Sequence, residues 1–389
     1  MRRLSFRAIL FVALIALAGC GHSKRVTAPA IPAMSLSEAV QYARARYHLP
    51  AFAAAMVEAD SIRIAVSGVR RLGAPDSVSA TDLFHLGSLT KALTATVIGS
   101  LVEEARLSWT RTLAQAFPEV ADSMNAAYRS VTLEQLLQHR GGLPAFGELQ
   151  DFAGLPAFPG GAVEQRRGFA RWLLVRPPAA TPGTYLYSNA GYAVAAAMLE
   201  SAAAEPWDVL LRTRLLDPLG VSATVGWPTD HDSNQPWGHY VEGGRLVPFD
   251  PGEGHVPTII APAGDLSMSV GDYARFARLH LRALQGRPAL LADSTFRRLH
   301  APAGDYALGW LVTTVKGHAV WAHDGSAGTF TSLVLLDPGR DRAYAMFTNA
   351  VTPGVDSAFA DVLVAVSPRT AAATVPPSAA RHERRRMVR

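Results

Sequence analysis

Ser88 and Lys91 stand three residues apart in the run Phe84-His85-Leu86-Gly87-Ser88-Leu89-Thr90-Lys91. A serine hydroxyl becomes a nucleophile when a neighbour takes its proton, and an amine can be that neighbour. Lysine is used sparingly in this chain. Only Lys24, Lys91 and Lys316 occur, and arginine supplies the rest of the 37 basic residues. Arginine stays protonated in ordinary surroundings, whereas a buried lysine can shed its proton and act as a base. Residues three apart on a helix share a face. A helix opening at Ser88 therefore sets the Lys91 amine beside the Ser88 hydroxyl, and the helix N-terminus favours developing negative charge. A serine cap followed by a solvated lysine has the same spelling, so the pair needs partners.

Two further elements qualify. Tyr187-Ser188-Asn189 follows the turn signal Pro182-Gly183 and precedes an Ala-rich helical stretch, Tyr192 to Ala203. Its side chains lie on a loop entering a helix, where they can converge on a pocket. Taken alone, turn chemistry and a capping Asn189 account for both polar residues. His323-Asp324-Gly325-Ser326-Ala327-Gly328 lies between two strand-like runs. Its glycines permit close backbone approach and N–H groups aimed at a ligand, or simply a hairpin turn.

The elements that must hold these residues are legible in outline. Ser35-Leu36-Ser37-Glu38 has capping-box spacing and opens a helix to about Tyr47. Ala51 to Glu58 and Ser61 to Gly68 read as a hairpin. From Ser88 to about Gly286 the pattern is mostly helical, interrupted by Pro/Gly-rich loops at 143–161 and 226–262. After Tyr306 come strand-like runs, 307–315, 318–323, 330–336 and 342–349, joined by short turns, and a last helix from Val355 to Val366. Short turns between consecutive strands imply an antiparallel sheet. The expectation is an α+β fold whose two chain ends build one sheet domain and whose middle inserts a mostly helical part, about 89–290.

In this order the three elements resemble the serine β-lactamase and penicillin-binding protein superfamily, closest to its class C β-lactamase-like branch with its peptidases and esterases. That group carries Ser-x-x-Lys, Tyr-x-Asn and then Lys-Thr-Gly or His-x-Gly. The stretches Val131–Pro144, Leu216-Asp217-Pro218-Leu219-Gly220-Val221 and Ala263–Asp272 are similar to further segments of it, so the likeness runs from about Ser35 to Val366. Two positions depart from the pattern: Arg140-Gly141 replaces Thr-Ser or Thr-Ala, and His323 stands where β-lactamases carry lysine. The resemblance implies a β-lactamase/transpeptidase-like fold with an antiparallel sheet flanked by helices. It implies Ser88 as acylating nucleophile, Lys91 and Tyr187 sharing the base role, and Asn189 orienting the substrate amide or Lys91. It further implies an oxyanion hole from the N–H groups of Ser88 and Ser326 beside Gly325, and His323 meeting the substrate. Histidine is often neutral near pH 7 where lysine is charged. A peptidase or esterase is therefore expected over a dedicated β-lactamase, with a non-catalytic binder of cell-wall peptide as the rival class. No cofactor is expected, and the substrate is a small molecule or peptide.

Composition fits this reading. Apolar content of 49% with 18% charged residues suits a globular chain of 389 residues. The basic residues at the two ends outweigh the formal charge of +5, leaving a slightly acidic body and no basic groove for nucleic acid. Arg2, Arg3 and Arg7, then the apolar run Ala8 to Ala18, read as a secretory signal over 1–19. Leu17-Ala18-Gly19-Cys20 resembles the bacterial lipoprotein box, and Cys20 is the sole cysteine. The expectation is an exported bacterial lipoprotein, held on a periplasm-facing membrane by a lipid on Cys20, with 20–34 as a tether. The hydrolase domain spans 35–366, and a disordered basic tail, 367–389, follows it. Twelve histidines carry no metal-ligating spacing, so no metal site is expected.

Overall fold

The computed structural model describes residues 31–315 and 317–367. The expected signal segment, Cys20, most of the tether and nearly all of the tail lie outside the described residues.

Ser35 caps the first helix, α1 (Leu36–Arg46), through the reciprocal bonds that the Ser-x-x-Glu spacing predicts: Ser35 Oγ accepts from the Glu38 N–H, and the Glu38 carboxylate accepts from the Ser35 N–H at 2.9 Å. The hairpin β1 (Ala51–Val57) and β2 (Ile62–Gly68) follows. Then come β3 (Leu83–His85), α2 (Thr90–Glu103), α3 (Leu133–Leu137), α4 (Ala162–Leu174) and α5 (Asn189–Ala203). The chain continues through β4 (Thr224–Val225), β5 (His239–Glu242), β6 (Arg245–Pro248), β7 (Leu266–Ser269), α6 (Val270–Leu284) and α7 (Asp293–His300). It closes with β8 (Leu311–Val315), β9 (His318–Ser326), β10 (Thr331–Asp337), β11 (Arg342–Thr348) and α8 (Val355–Val366).

The main sheet is antiparallel with strand order β2-β1-β11-β10-β9-β8, so early and late strands of the described residues meet in it. One face packs on α1 and α8, where Val40, Phe52, Met346 and Phe359 meet. The other face joins a larger core shared with α2, α5 and α6. A strand covered on both faces must be apolar throughout, and all seven residues of β1 are buried. Helix α2 is buried on nearly every side, which its near-continuous apolar sequence allows. Lys91 therefore enters the core on a helix with little solvent contact.

Three local features differ from the sequence reading. The region read as mostly helical also holds β4 to β7, which with β3 form two small sheets, β3-β7-β4 and β5-β6, whose two- to four-residue strands are too short to show a period. The helix after the Tyr-x-Asn element starts at Asn189, and its cap is Ser188, whose Oγ accepts from the Gly191 N–H at 2.9 Å. His323-Asp324-Gly325-Ser326 is the last part of β9 and not a turn.

Candidate active site

Ser88 sits on a single 3₁₀ turn, Gly87–Leu89, that runs directly into α2. That turn is held from below. The His85 Nδ1 accepts from the Gly87 N–H at 3.2 Å, and its Nε2 donates to the Asp265 carboxylate at 3.0 Å, which fixes the tautomer. The Ser332 hydroxyl donates to the Leu86 carbonyl at 2.6 Å. The end of β9 lies against the same turn so closely that only glycine fits on either side. A Cβ on Gly325 would stand 2.1 Å from Leu86 O and 2.9 Å from Ser88 N. A Cβ on Gly87, whose φ is +52°, would stand 2.3 Å from Ser326 N. The backbone nitrogens of Ser88 and Ser326 are thereby brought to one small region, where paired N–H donors can meet developing negative charge.

Lys91 lies one turn of helix further on and is wholly buried. Its Nζ is 3.0 Å from Ser88 Oγ, 2.7 Å from Asn189 Oδ1 and 2.7 Å from Ala263 O. Asn189 Oδ1 and the Ala263 carbonyl can only accept, so each claims an N–H of the amine. A neutral amine has two N–H groups and one lone pair. With both N–H groups engaged, the lone pair is left for Ser88. Burial pushes the Lys91 pKa well below its ordinary value, with the charge of Asp324 opposing. Geometry and desolvation thus favour the same state, a neutral amine facing a hydroxyl.

The Tyr187 O–H donates to Ser88 Oγ at 2.8 Å. Burial pushes its pKa well up, so the phenol keeps its proton despite the opposing pull of the Ser88 bond. The loop carrying it is fixed by His139 and Arg140. His139 Nδ1 accepts from the Ser188 N–H at 3.1 Å, and its ring lies 4.2 Å from that of Tyr187. The His139 carbonyl accepts from the Leu186 N–H at 2.8 Å. Arg140 donates to the carbonyls of Gly183 and Ala303, tying this loop to the chain ahead of β8. The Asn189 side chain is free for Lys91 because Ser188 does the capping. Its Nδ2 donates to Phe146 O at 2.9 Å, which sets Oδ1 toward the amine.

His323 occupies a different setting from the one expected. It is 3% exposed, its Nδ1 donates to the Asp324 carbonyl at 2.6 Å, and its Nε2 accepts from the Tyr306 O–H at 2.9 Å. Burial pushes its pKa down to about 3. Both ring nitrogens are engaged and the ring is neutral, so His323 does not offer a cation to a substrate carboxylate. It braces the wall of the site through Tyr306, whose ring also packs 4.5 Å from that of His139.

Ser88, Lys91, Tyr187, Asn189, Gly325 and Ser326 are brought together. His85, Asp265, His139, Tyr306 and the Ala263 carbonyl were not singled out from the sequence. A backbone acceptor carries no side-chain signal, and His85, three residues before Ser88, has no spacing that sets it apart from the other histidines of the chain. Among the described residues no group of three His, Cys, Asp or Glu could hold a metal ion, and no helix is long and apolar enough to cross a membrane.

A family model described as Beta-lactamase matches residues 36–367. Penicillin-binding protein 4 of Amycolatopsis lactamdurans is 26% identical over 334 residues, a match covering 81% of this chain and 84% of that protein. The unguisins hydrolase of Aspergillus violaceofuscus is 27% identical over 329 residues, covering 75% of this chain but only 57% of its own length. The crystal structure of the D-alanine carboxypeptidase AmpC from Burkholderia cenocepacia is similar with a TM-score of 0.67 at 20% identity, over 84% of this chain and 97% of that one.

Proposed function

The chain belongs to the beta-lactamase family, and from that premise we propose that it is a hydrolase that cleaves an ester, amide or peptide bond through an acyl-enzyme on Ser88. The observation that carries the proposal is the Lys91 amine. Two acceptors hold its N–H groups and leave its lone pair for the Ser88 hydroxyl 3.0 Å away. Lys91 takes the Ser88 proton as Oγ attacks the carbonyl. Negative charge then builds on the carbonyl oxygen beside the N–H groups of Ser88 and Ser326. Such donors, fixed before the reaction, are each worth roughly 10²–10³ in rate. Tyr187, already donating to Oγ, supplies a proton to the leaving alcohol or amine, and the proton held by Lys91 restores the phenol. Water enters by the reverse path and releases the acid.

The neutral setting of His323 supports a peptidase or esterase over a dedicated β-lactamase. The name of one relative, a hydrolase of unguisins, supports the hydrolase reading. A fluorophosphonate or a labelled penicillin should add its mass to Ser88 of the wild-type protein and to nothing in Ser88→Ala. A panel of p-nitrophenyl esters, D-amino-acid peptides and nitrocefin then ranks the substrates. Nitrocefin turned over faster than every ester and peptide would restore the β-lactamase reading, and no covalent mass would leave the protein a binder of cell-wall peptide.

The proposal extends to location. Leu17-Ala18-Gly19-Cys20, with the only cysteine of the chain in its last place, supports export and a lipid anchor on Cys20. Cys20→Ser should move the protein from the detergent phase to the aqueous phase, and equal partitioning of the two forms would overturn the anchor.

A further inference from the structure

His139 ends helix α3 in a backbone conformation that suits other residues better. Gln138 is the C-cap. Beyond it the His139 N–H donates to Leu136 O at 3.1 Å and the Arg140 N–H to Gln135 O at 2.7 Å, the paired bonds of a left-handed helix stop. The stop sets His139 at a φ of +59°. Glycine is the usual occupant and asparagine the next, because a Cβ crowds the backbone there. The histidine is also 1% exposed. Its Nδ1 accepts from the Ser188 N–H, so the ring proton is on Nε2, and that N–H has no hydrogen-bond partner among the described residues. A strained backbone and a buried unpaired donor both cost stability. A helix stop alone needs neither.

The histidine gains a grip on Tyr187 from three sides. The Leu186 N–H, just before it, donates to the His139 carbonyl at 2.8 Å. The Ser188 N–H, just after it, donates to Nδ1 at 3.1 Å. The two rings lie 4.2 Å apart. Lys91 Nζ stands 4.8 Å from the centre of the Tyr187 ring, and the phenol reaches Ser88 Oγ at 2.8 Å. With both flanking N–H groups and the ring held by one residue, the phenol has little freedom to swing away from the nucleophile. Burial, helped by Lys91 and His323, pushes the His139 pKa well down and keeps Nδ1 an acceptor. Glycine would end α3 as well and would offer Tyr187 no ring and no side-chain acceptor.

Resting on the reading of Ser88 as nucleophile and Tyr187 as proton donor to the leaving group, we propose that His139 is a positioning residue for that proton transfer, and that its contribution rises with the basicity of the group expelled. A p-nitrophenolate departs as a stable anion and gains little from a proton. An amine or alkoxide needs one as it leaves. Misplacing a reacting group by about 1 Å can cost on the order of 10²-fold. His139 thereby suits the site to amides and unactivated esters, whose leaving groups depend on a well-aimed acid.

The test measures kcat/KM of the full-length protein on a series of aryl butyrates, from p-nitrophenyl to p-methoxyphenyl, against the basicity of the leaving phenol. This parameter contains the steps through acylation, so departure of the phenol is within it. Wild-type protein should show a shallow slope and Tyr187→Phe a steep one. His139→Gly relieves the backbone and removes the ring. It should lose about 10–100-fold on the p-methoxyphenyl ester and under about threefold on the p-nitrophenyl ester. His139→Asn tolerates the positive φ and keeps a side-chain acceptor without the ring, so its slope should lie between, and it decides the matter if His139→Gly does not fold. Adding Tyr187→Phe to His139→Gly should slow the p-methoxyphenyl ester no further than Tyr187→Phe alone, because an absent phenol needs no positioning. No labelling of Ser88 by a fluorophosphonate, or no turnover of any ester, would overturn the hydrolase reading and this inference together. A slope steepened by Tyr187→Phe but left at the wild-type value by the folded His139 variants, or an equal loss on every ester, would overturn the inference alone.

Discussion

Asn189→Asp tests the protonation state on which the mechanism turns. The substitution keeps the size of the side chain and an oxygen 2.7 Å from Lys91 Nζ, and it adds a full negative charge there. An opposite charge at that range raises an amine pKa by about 1–3 pH units, or roughly 1.4–4 kcal/mol in favour of the ammonium. The sign follows from the role. A base works when deprotonated, so the wild-type rate falls as pH drops through the depressed pKa of Lys91. In Asn189→Asp that fall should come about 1–3 pH units higher, with activity below it reduced about 10–1,000-fold and recovered in alkali. The lost Nδ2 donation to Phe146 O also costs about 1–3 kcal/mol of stability, so the profile must be read on protein shown to be folded. The assay is kcat/KM for a neutral p-nitrophenyl ester against pH. Asn189→Leu is the control: it should lower the rate at every pH without raising the acid limb. An acid limb unmoved in folded Asn189→Asp would refute the neutral-amine base, and a faster enzyme at neutral pH would point to an ammonium role instead.

Other outcomes follow from the same geometry. Tyr187→Phe should slow acylation by roughly 10²–10⁴-fold, measured by stopped-flow labelling of Ser88, and an unchanged rate would remove its O–H from the reaction. Gly325→Ala places a methyl 2.1 Å from Leu86 O and should force β9 off the nucleophile's turn, abolishing labelling while thermal unfolding stays cooperative; normal labelling would mean that the strand yields at no cost to the site. Arg166 and Glu200 form a buried ion pair between α4 and α5, and Arg166 also donates to Thr258 O. Glu200→Gln leaves a buried guanidinium uncompensated and should cost about 3–5 kcal/mol by urea denaturation, with a loss under 1 kcal/mol counting against a structural role for the pair.

Ser88 and Lys91 were legible because helical spacing is itself a statement about proximity, and Tyr187 with Asn189 because a turn before a helix restricts where side chains can go. The sheet was legible because β1, β10 and β11 are apolar runs of strand length bounded by turns. The role of His323 was not, because it depends on Tyr306 from a separate segment and on burial that no spacing reveals. Sequence alone does not choose between Ser188 and Asn189 as the cap, because both residue types cap helices and only the competing demand of Lys91 decides between them. The short strands β3, β4 and β7 are not legible because two to four residues are too few to show a period.

The sheet built from both chain ends has a kinetic consequence. β1 pairs with β11, and the Ala51 N–H bonds to Asn349 Oδ1, a partner 298 residues away in the sequence. Closing so long a loop costs entropy that is recovered only when the contacts form, and folds dominated by such contacts are slow to assemble. Until β11 arrives, the hairpin β1–β2 has no neighbour on its inner edge, and Ala51–Val57 is an apolar strand with open backbone groups. Such an edge is a template for pairing with another chain. Emerging protein should therefore be most prone to aggregate during the interval between synthesis of β2 and delivery of β11. Changes that weaken β11, far from the catalytic serine, should lower the yield of folded protein before they alter its turnover.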